Sequence, residues 1–92
     1  MKKKEIQKKI ETFIRTCFNL RADDPEFSHV CDLFENGYVD SFGIVKLISY
    51  LEKEFKVSLD EDYLYDERFL TIDGQSEIVL ELMGLRYAEN QR

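Results

Sequence analysis

The first apolar positions of the chain fall on a helical spacing: Ile6, Ile10, Phe13, Cys17 and Leu20 are separated by four, three, four and three residues, with Lys, Glu and Arg between them. At 3.6 residues per turn this puts all five on one face and predicts an amphipathic helix whose charged side meets water. Pro25 lacks an amide hydrogen and disfavours helix in the residue before it, so the helix is expected to end by Asp24. From Arg21 to Asp40 no period persists, although Phe27, Val30, Leu33, Phe34 and Val39 punctuate the stretch as residues expected to seek burial. Connections longer than about 12–15 residues are uncommon in small domains, so this segment is either a functional, anchored loop or the place of a short helix.

A second helical stripe begins near Ser41 and runs through Ile44, Leu47, Ile48, Leu51 and Phe55. Ser58 and Glu61 then have the spacing of a capping box, and Asp60, Glu61 and Asp62 suit the positive end of a helix dipole. "SLDEDYLYDE" therefore predicts a short third helix anchored by Tyr63 and Leu64. A last amphipathic segment follows Asp73, a good cap, with Ile78, Val79, Leu82, Met83 and Leu85 turned inward and Gly84 able to end it early. No stretch alternates with period two. The expected fold is all-α: a small four-helix bundle with three longer helices, one short third helix and a long loop after the first.

Composition narrows the function more than the fold. The 92 residues are expected to form a single domain, 1–92, with its core over about residues 5–85, a basic N-terminal end and a polar C-terminal tail. Nineteen acidic against thirteen basic residues leave a formal charge of -6, which repels the nucleic-acid backbone; no nucleic-acid partner is expected. The run Lys2-Lys3-Lys4 reads as a solvated terminus and is assigned no function. "EIQKKIETFI" breaks its apolar residues with charge, so it is neither a signal-peptide core nor a membrane span, and a cytoplasmic monomer is expected. Cys17 and Cys31 have no metal-ligand spacing and are expected to be reduced thiols, Cys17 within the core; no metal site is expected.

The chemistry concentrates in "GYVDSFGIVKL", residues 37–47, where Asp40 and Ser41 stand at the mouth of the second helix. Both residue types cap helices by accepting from its free amides, which accounts for one of them without any further function. Hydrolysis by a nucleophilic serine is disfavoured: there is no GxSxG turn, and His29 is the single histidine. No catalytic residue is expected.

The longer run "DLFENGYVDSFGIVKLISYLEKEF" resembles the phosphopantetheine attachment region of acyl carrier proteins and of the related peptidyl and aminoacyl carriers. The resemblance rests on Gly37, Val39, the pair Asp40-Ser41, Phe42 and an amphipathic helix reaching Phe55, and it extends more loosely over about residues 5–85. It implies that Ser41 receives a 4'-phosphopantetheine arm from coenzyme A through a phosphopantetheinyl transferase, with Asp40 taking part in recognition by that transferase. It implies a non-enzymatic carrier whose thiol holds an acyl or aminoacyl group as a thioester, loaded by a ligase or synthase and passed to downstream acyl-transfer enzymes. Phe42, Val45 and Ser49 form a second stripe beside the core stripe, and carriers of this kind present such residues to partners; widening of the core face is the competing explanation for Phe42 and Val45.

Lys46 and Lys53 depart from the acidic second helix usual in fatty-acid carriers; the acidic cluster Asp60–Glu67 is either part of the charge recognition moved to the third helix, with Asp62 and Tyr63 as candidate contacts, or simply a solvated helix start matched to its dipole. The turn "LFENGYVDS" is most similar to stand-alone D-alanyl or aminoacyl carriers. The competing function is an unmodified helical adaptor that keeps the fold and uses its second and third helices only to bind proteins.

Overall fold

The computed structural model describes residues 2–18, 20 and 23–90, and side chains as far as residue 84. Four α-helices follow in order: α1 Lys3–Cys17, α2 Ser41–Phe55, α3 Glu61–Leu64 and α4 Ile72–Asn90, with a 3-10 turn over Glu67–Leu70 before α4. Among the described residues there is no strand, so the chain is an all-helical small bundle.

The face that α1 buries is set by Ile6, Ile10 and Ile14, three β-branched residues at four-residue spacing, all fully buried. Phe13 is half-buried beside them, and Cys17 is exposed, contrary to the expected stripe. The reason is the end of the helix. The chain leaves α1 at Phe18, whose amide donates to Ile14 O, so Cys17 is the last residue of the helix and the stripe stops there. The basic terminus is also less free than its sequence suggests, because Lys3 Nζ reaches Asp73 (2.9 Å) and Glu77 (3.2 Å) on α4.

From α2 come Leu47, Leu51 and Phe55, and from α4 come Ile72, Ile78 and Val79, all buried in one core with the α1 isoleucines. Ile44, Ile48, Leu82 and Met83 border it, half-buried. The α2 helix closes with Lys56 in the left-handed conformation (φ 53°), its amide donating to Glu52 O.

Two expected caps move. Asp60, not Ser58, caps α3 by accepting from Asp62 N and Tyr63 N. At α4 the Thr71 hydroxyl accepts from Gly74 N (2.9 Å), so the cap lies before Asp73, which is already in the first turn. Gly84 does not end α4, which continues to Asn90; the expected inward turn of Leu85 lies outside the described side chains.

The connection from Phe18 to Asp40 holds no helix among the described residues, and it is anchored at several points. Leu33 and Val39 are buried in the core. Leu33 N donates to Leu70 O (2.9 Å), and Asp73 N donates to His29 O (2.8 Å), tying the loop to the segment before α4. The Phe27 ring sits between the Arg15 guanidinium (4.6 Å to its centroid) and the edge of Tyr38 (5.4 Å). Val30, expected to be buried, is 73% exposed because its neighbours His29 and Ser28 make the contacts that fix this turn.

Candidate functional site

The loop delivers Asp40 to the start of α2 through a short chain of bonds. Asp32 Oδ1 accepts from Phe34 N and Glu35 N (2.9 Å each), forming a turn, and Leu33 O accepts from both Tyr38 N (2.9 Å) and Val39 N (3.1 Å). Gly37 makes the reversal between them possible: its φ of +79° lies where a Cβ is disfavoured. Burial, then a hydrogen bond and charge repulsion from Asp24, pushes the Tyr38 phenol up to about 12. Val39 enters the core, which points the next residues outward at the helix mouth.

Asp40 caps α2. Its Oδ1 accepts from Gly43 N at 2.7 Å, and its carbonyl accepts from Ile44 N at 2.9 Å. Ser41 is the first residue of the helix and is exposed. Among the described residues the amides of Ser41 and Phe42 have no partner, so two free donors and the positive end of a four-turn helix lie beside the serine hydroxyl. An anionic group esterified to Ser41 fits that environment, and a cleft of about 410 Å³ opens next to it, lined by Phe34, Val39, Asp40, Ser41 and Ile44.

Phe42 and Val45 are 83% and 65% exposed, so they do not widen the core face; they leave apolar surface in water one residue and one turn from Ser41. Lys46 is exposed and Ser49 half-buried on the same helix. Asp62 is exposed at the start of α3, and Tyr63 is half-buried, with its phenol raised by burial and by Glu81 and Asp60. The six sequence-predicted residues beyond the attachment pair thus divide between two helices. The cavities that touch Ser41, or Val45 with Lys46 and Ser49, are lined by the loop, α1 and α2, and by neither Asp62 nor Tyr63.

Sequence reasoning missed Gly43. A Cβ there would stand 2.6 Å from Phe18 Cε1 and 3.2 Å from Asp40 Oδ1, so the missing side chain lets Phe18 lie against the first turn of α2 beside the cap. The signal was present as a glycine inside a helix, where it costs about 1 kcal/mol relative to Ala and calls for a packing reason. The single histidine is engaged elsewhere: His29 Nε2 pairs with Glu11, and that bond, with Arg15, holds the Glu11 carboxyl below its usual range. Among the described residues no helix is long and apolar enough to cross a membrane, and no group of three or more His, Cys, Asp or Glu could hold a metal ion.

Compared with protein-family models and with curated proteins, the chain matches none of either.

Proposed function

We propose that this chain is a carrier of the acyl carrier protein type, bearing a 4'-phosphopantetheine arm on Ser41 and holding an acyl or aminoacyl group on its thiol. The observation that carries this reading is the placement of Ser41: exposed, first in a four-turn helix, next to two free amides and directly after a carboxylate that already serves as the cap. A phosphodiester gains from that field, while the hydroxyl stays open to a transferase. When bound, the arm supplies the thiol on which cargo is carried as a thioester.

This chain's own residues attach and present the arm. Asp40 Oδ1 is spent on Gly43 N, and its second carboxylate oxygen is free for the transferase. Phe42 and Val45 offer partner enzymes an apolar contact beside the attachment point. Lys46 and Lys53 disfavour enzymes whose docking patches are basic, which agrees better with an aminoacyl or specialised acyl cargo than with routine fatty-acid synthesis. The chain acts as a co-substrate and not as an enzyme.

The test is transfer of a fluorescent pantetheine from its coenzyme A conjugate by a broad-specificity phosphopantetheinyl transferase. The parent is expected to take up one label and Ser41→Ala none. No labelling of a folded parent would instead favour the unmodified adaptor, and equal labelling of the two would put the group on a residue other than Ser41.

A further inference from the structure

Where α1 meets α2, two shallow troughs of about 560 and 550 Å³, the first lined mostly by α2 and the second mostly by α1, share the Phe13 and Tyr50 side chains as their floor. Those rings are stacked, centroids 4.1 Å apart, and the Tyr50 hydroxyl donates to Lys9 O, so the floor is held in place. The rims carry Lys8, Lys9, Lys46 and Lys53 against Glu5 and Glu54. This is a local excess of positive charge on a chain whose formal charge is -6. Only Lys9 is neutralised, by Glu54 at 3.1 Å; among the described residues Lys8, Lys46 and Lys53 make no salt bridge. An apolar floor between unpaired cations is complementary to an apolar ridge flanked by carboxylates.

We propose that the α1–α2 trough docks an acidic amphipathic helix of a partner protein. Each wall is a 15-residue helix, about 22 Å long, which matches a partner helix of about four turns. Lys46 and Lys53 are seven residues apart, two turns on one face, so the partner helix places carboxylates two turns apart to meet them. A second copy is a poor occupant, because this chain's own acidic stretch contains only the four-residue α3 and cannot lie along four turns. The docking face needs no arm on Ser41, so it stands or falls separately from the carrier function.

The experiment uses the unmodified 92-residue chain and three designed helical peptides of about four turns each. Each has leucines along one face; two flanking positions seven residues apart are both Glu, both Gln or both Lys. Binding is read by fluorescence anisotropy at low and physiological salt. Docking is read independently by the alkylation rate of Cys17, which is exposed on the trough wall, with Cys31 as the internal reference. The Glu peptide is expected to bind at least fivefold tighter than the Gln peptide at low salt, with the ratio shrinking as salt rises, and to slow Cys17 alkylation alone. Lys46→Glu/Lys53→Glu, two exposed changes, is expected to invert the order of the Glu and Lys peptides. Equal affinity for all three peptides, an unprotected Cys17, or slowing of Cys17 by self-association without peptide would overturn the proposal. Loss of phosphopantetheine labelling at Ser41 would bear on the carrier reading and leave this result unchanged.

Discussion

Replacing Asp40 separates its structural role from the recognition role proposed for it, because Oδ1 is engaged in the cap. Oδ1 accepts from Gly43 N at 2.7 Å, and removing an N-cap side chain costs about 0.5–2 kcal/mol, typically about 1. The carboxylate charge near the α2 N-terminus adds about 0.3–1 kcal/mol at low ionic strength. Asp40→Ala loses both contributions, so a cost of about 1.5 kcal/mol is expected. At about 4–8 °C per kcal/mol for a domain of this size, its Tm should fall by about 6–12 °C. Asp40→Asn keeps an acceptor for Gly43 N and loses only the charge, so its Tm should fall by about 1–8 °C, less than that of Asp40→Ala. The assay pairs thermal unfolding followed by circular dichroism with initial rates of phosphopantetheine transfer, measured at a temperature where all three proteins are folded. Transfer should be slowed strongly in both variants, by a similar factor despite their different stabilities. If Asp40→Asn melts as low as Asp40→Ala, the cap argument is wrong; if Asp40→Asn is modified at the parent rate, the free carboxylate oxygen has no part in recognition.

Other consequences test separate parts of the account. Gly74→Ala should be among the most damaging single changes, because its Cβ would stand 2.0 Å from Arg68 O and 2.5 Å from Arg68 Cα, both backbone atoms; a loss of about 3 kcal/mol or more is expected in urea unfolding, and a loss below about 1 would contradict that close approach. Glu11 is held below its ordinary value of 4.5 by His29 first and Arg15 second; its contribution is therefore present above that value and lost as pH falls through the lower folded-state value. Glu11→Gln should accordingly flatten the decline of stability with acid below about pH 5, and a parent-like acid limb would remove the pair from the explanation. Val45→Ser should leave Tm within about 3 °C of the parent while slowing cargo transfer, since Val45 is exposed; a larger loss of Tm with normal transfer would make it a packing residue. Lys46→Glu should speed loading by an enzyme with a basic docking patch and slow loading by the native partner, with both effects fading at high salt; identical rates under all four conditions would leave Lys46 as a solvated helix residue.

What the sequence revealed of this fold follows how local each cause is. Ile6 and Ile10 of α1 and the α2 run Leu47, Leu51 and Phe55 were legible because a helical period repeats over 15 residues, whereas Ile14, buried beside them, was passed over for Phe13 and Cys17. Cys17 was misplaced because it fits the same period but sits in the last turn, where the direction in which the chain leaves decides what covers it. The 3-10 turn Glu67–Leu70 is too short to show a period, and the need for glycine at position 74 comes from backbone contact with that turn. At the site, the Asp-Ser pair and the helix start were legible, as both follow from neighbouring residues. The exposure of Phe42 and Val45 was not, since an apolar residue beside a core stripe is compatible with either side of it. The α1–α2 trough joins residues more than 30 positions apart, Phe13 with Tyr50, and only the packing of the helices brings them together.

The most direct measurement of the central claim is the mass of the intact chain, and of its proteolytic peptides, after incubation with coenzyme A and a phosphopantetheinyl transferase. The account predicts one added phosphopantetheinyl group, located on the peptide containing Asp40-Ser41-Phe42 and absent from Ser41→Ala. An unmodified parent alongside a carrier that is modified in the same reaction, or a group found on any residue other than Ser41, would contradict it.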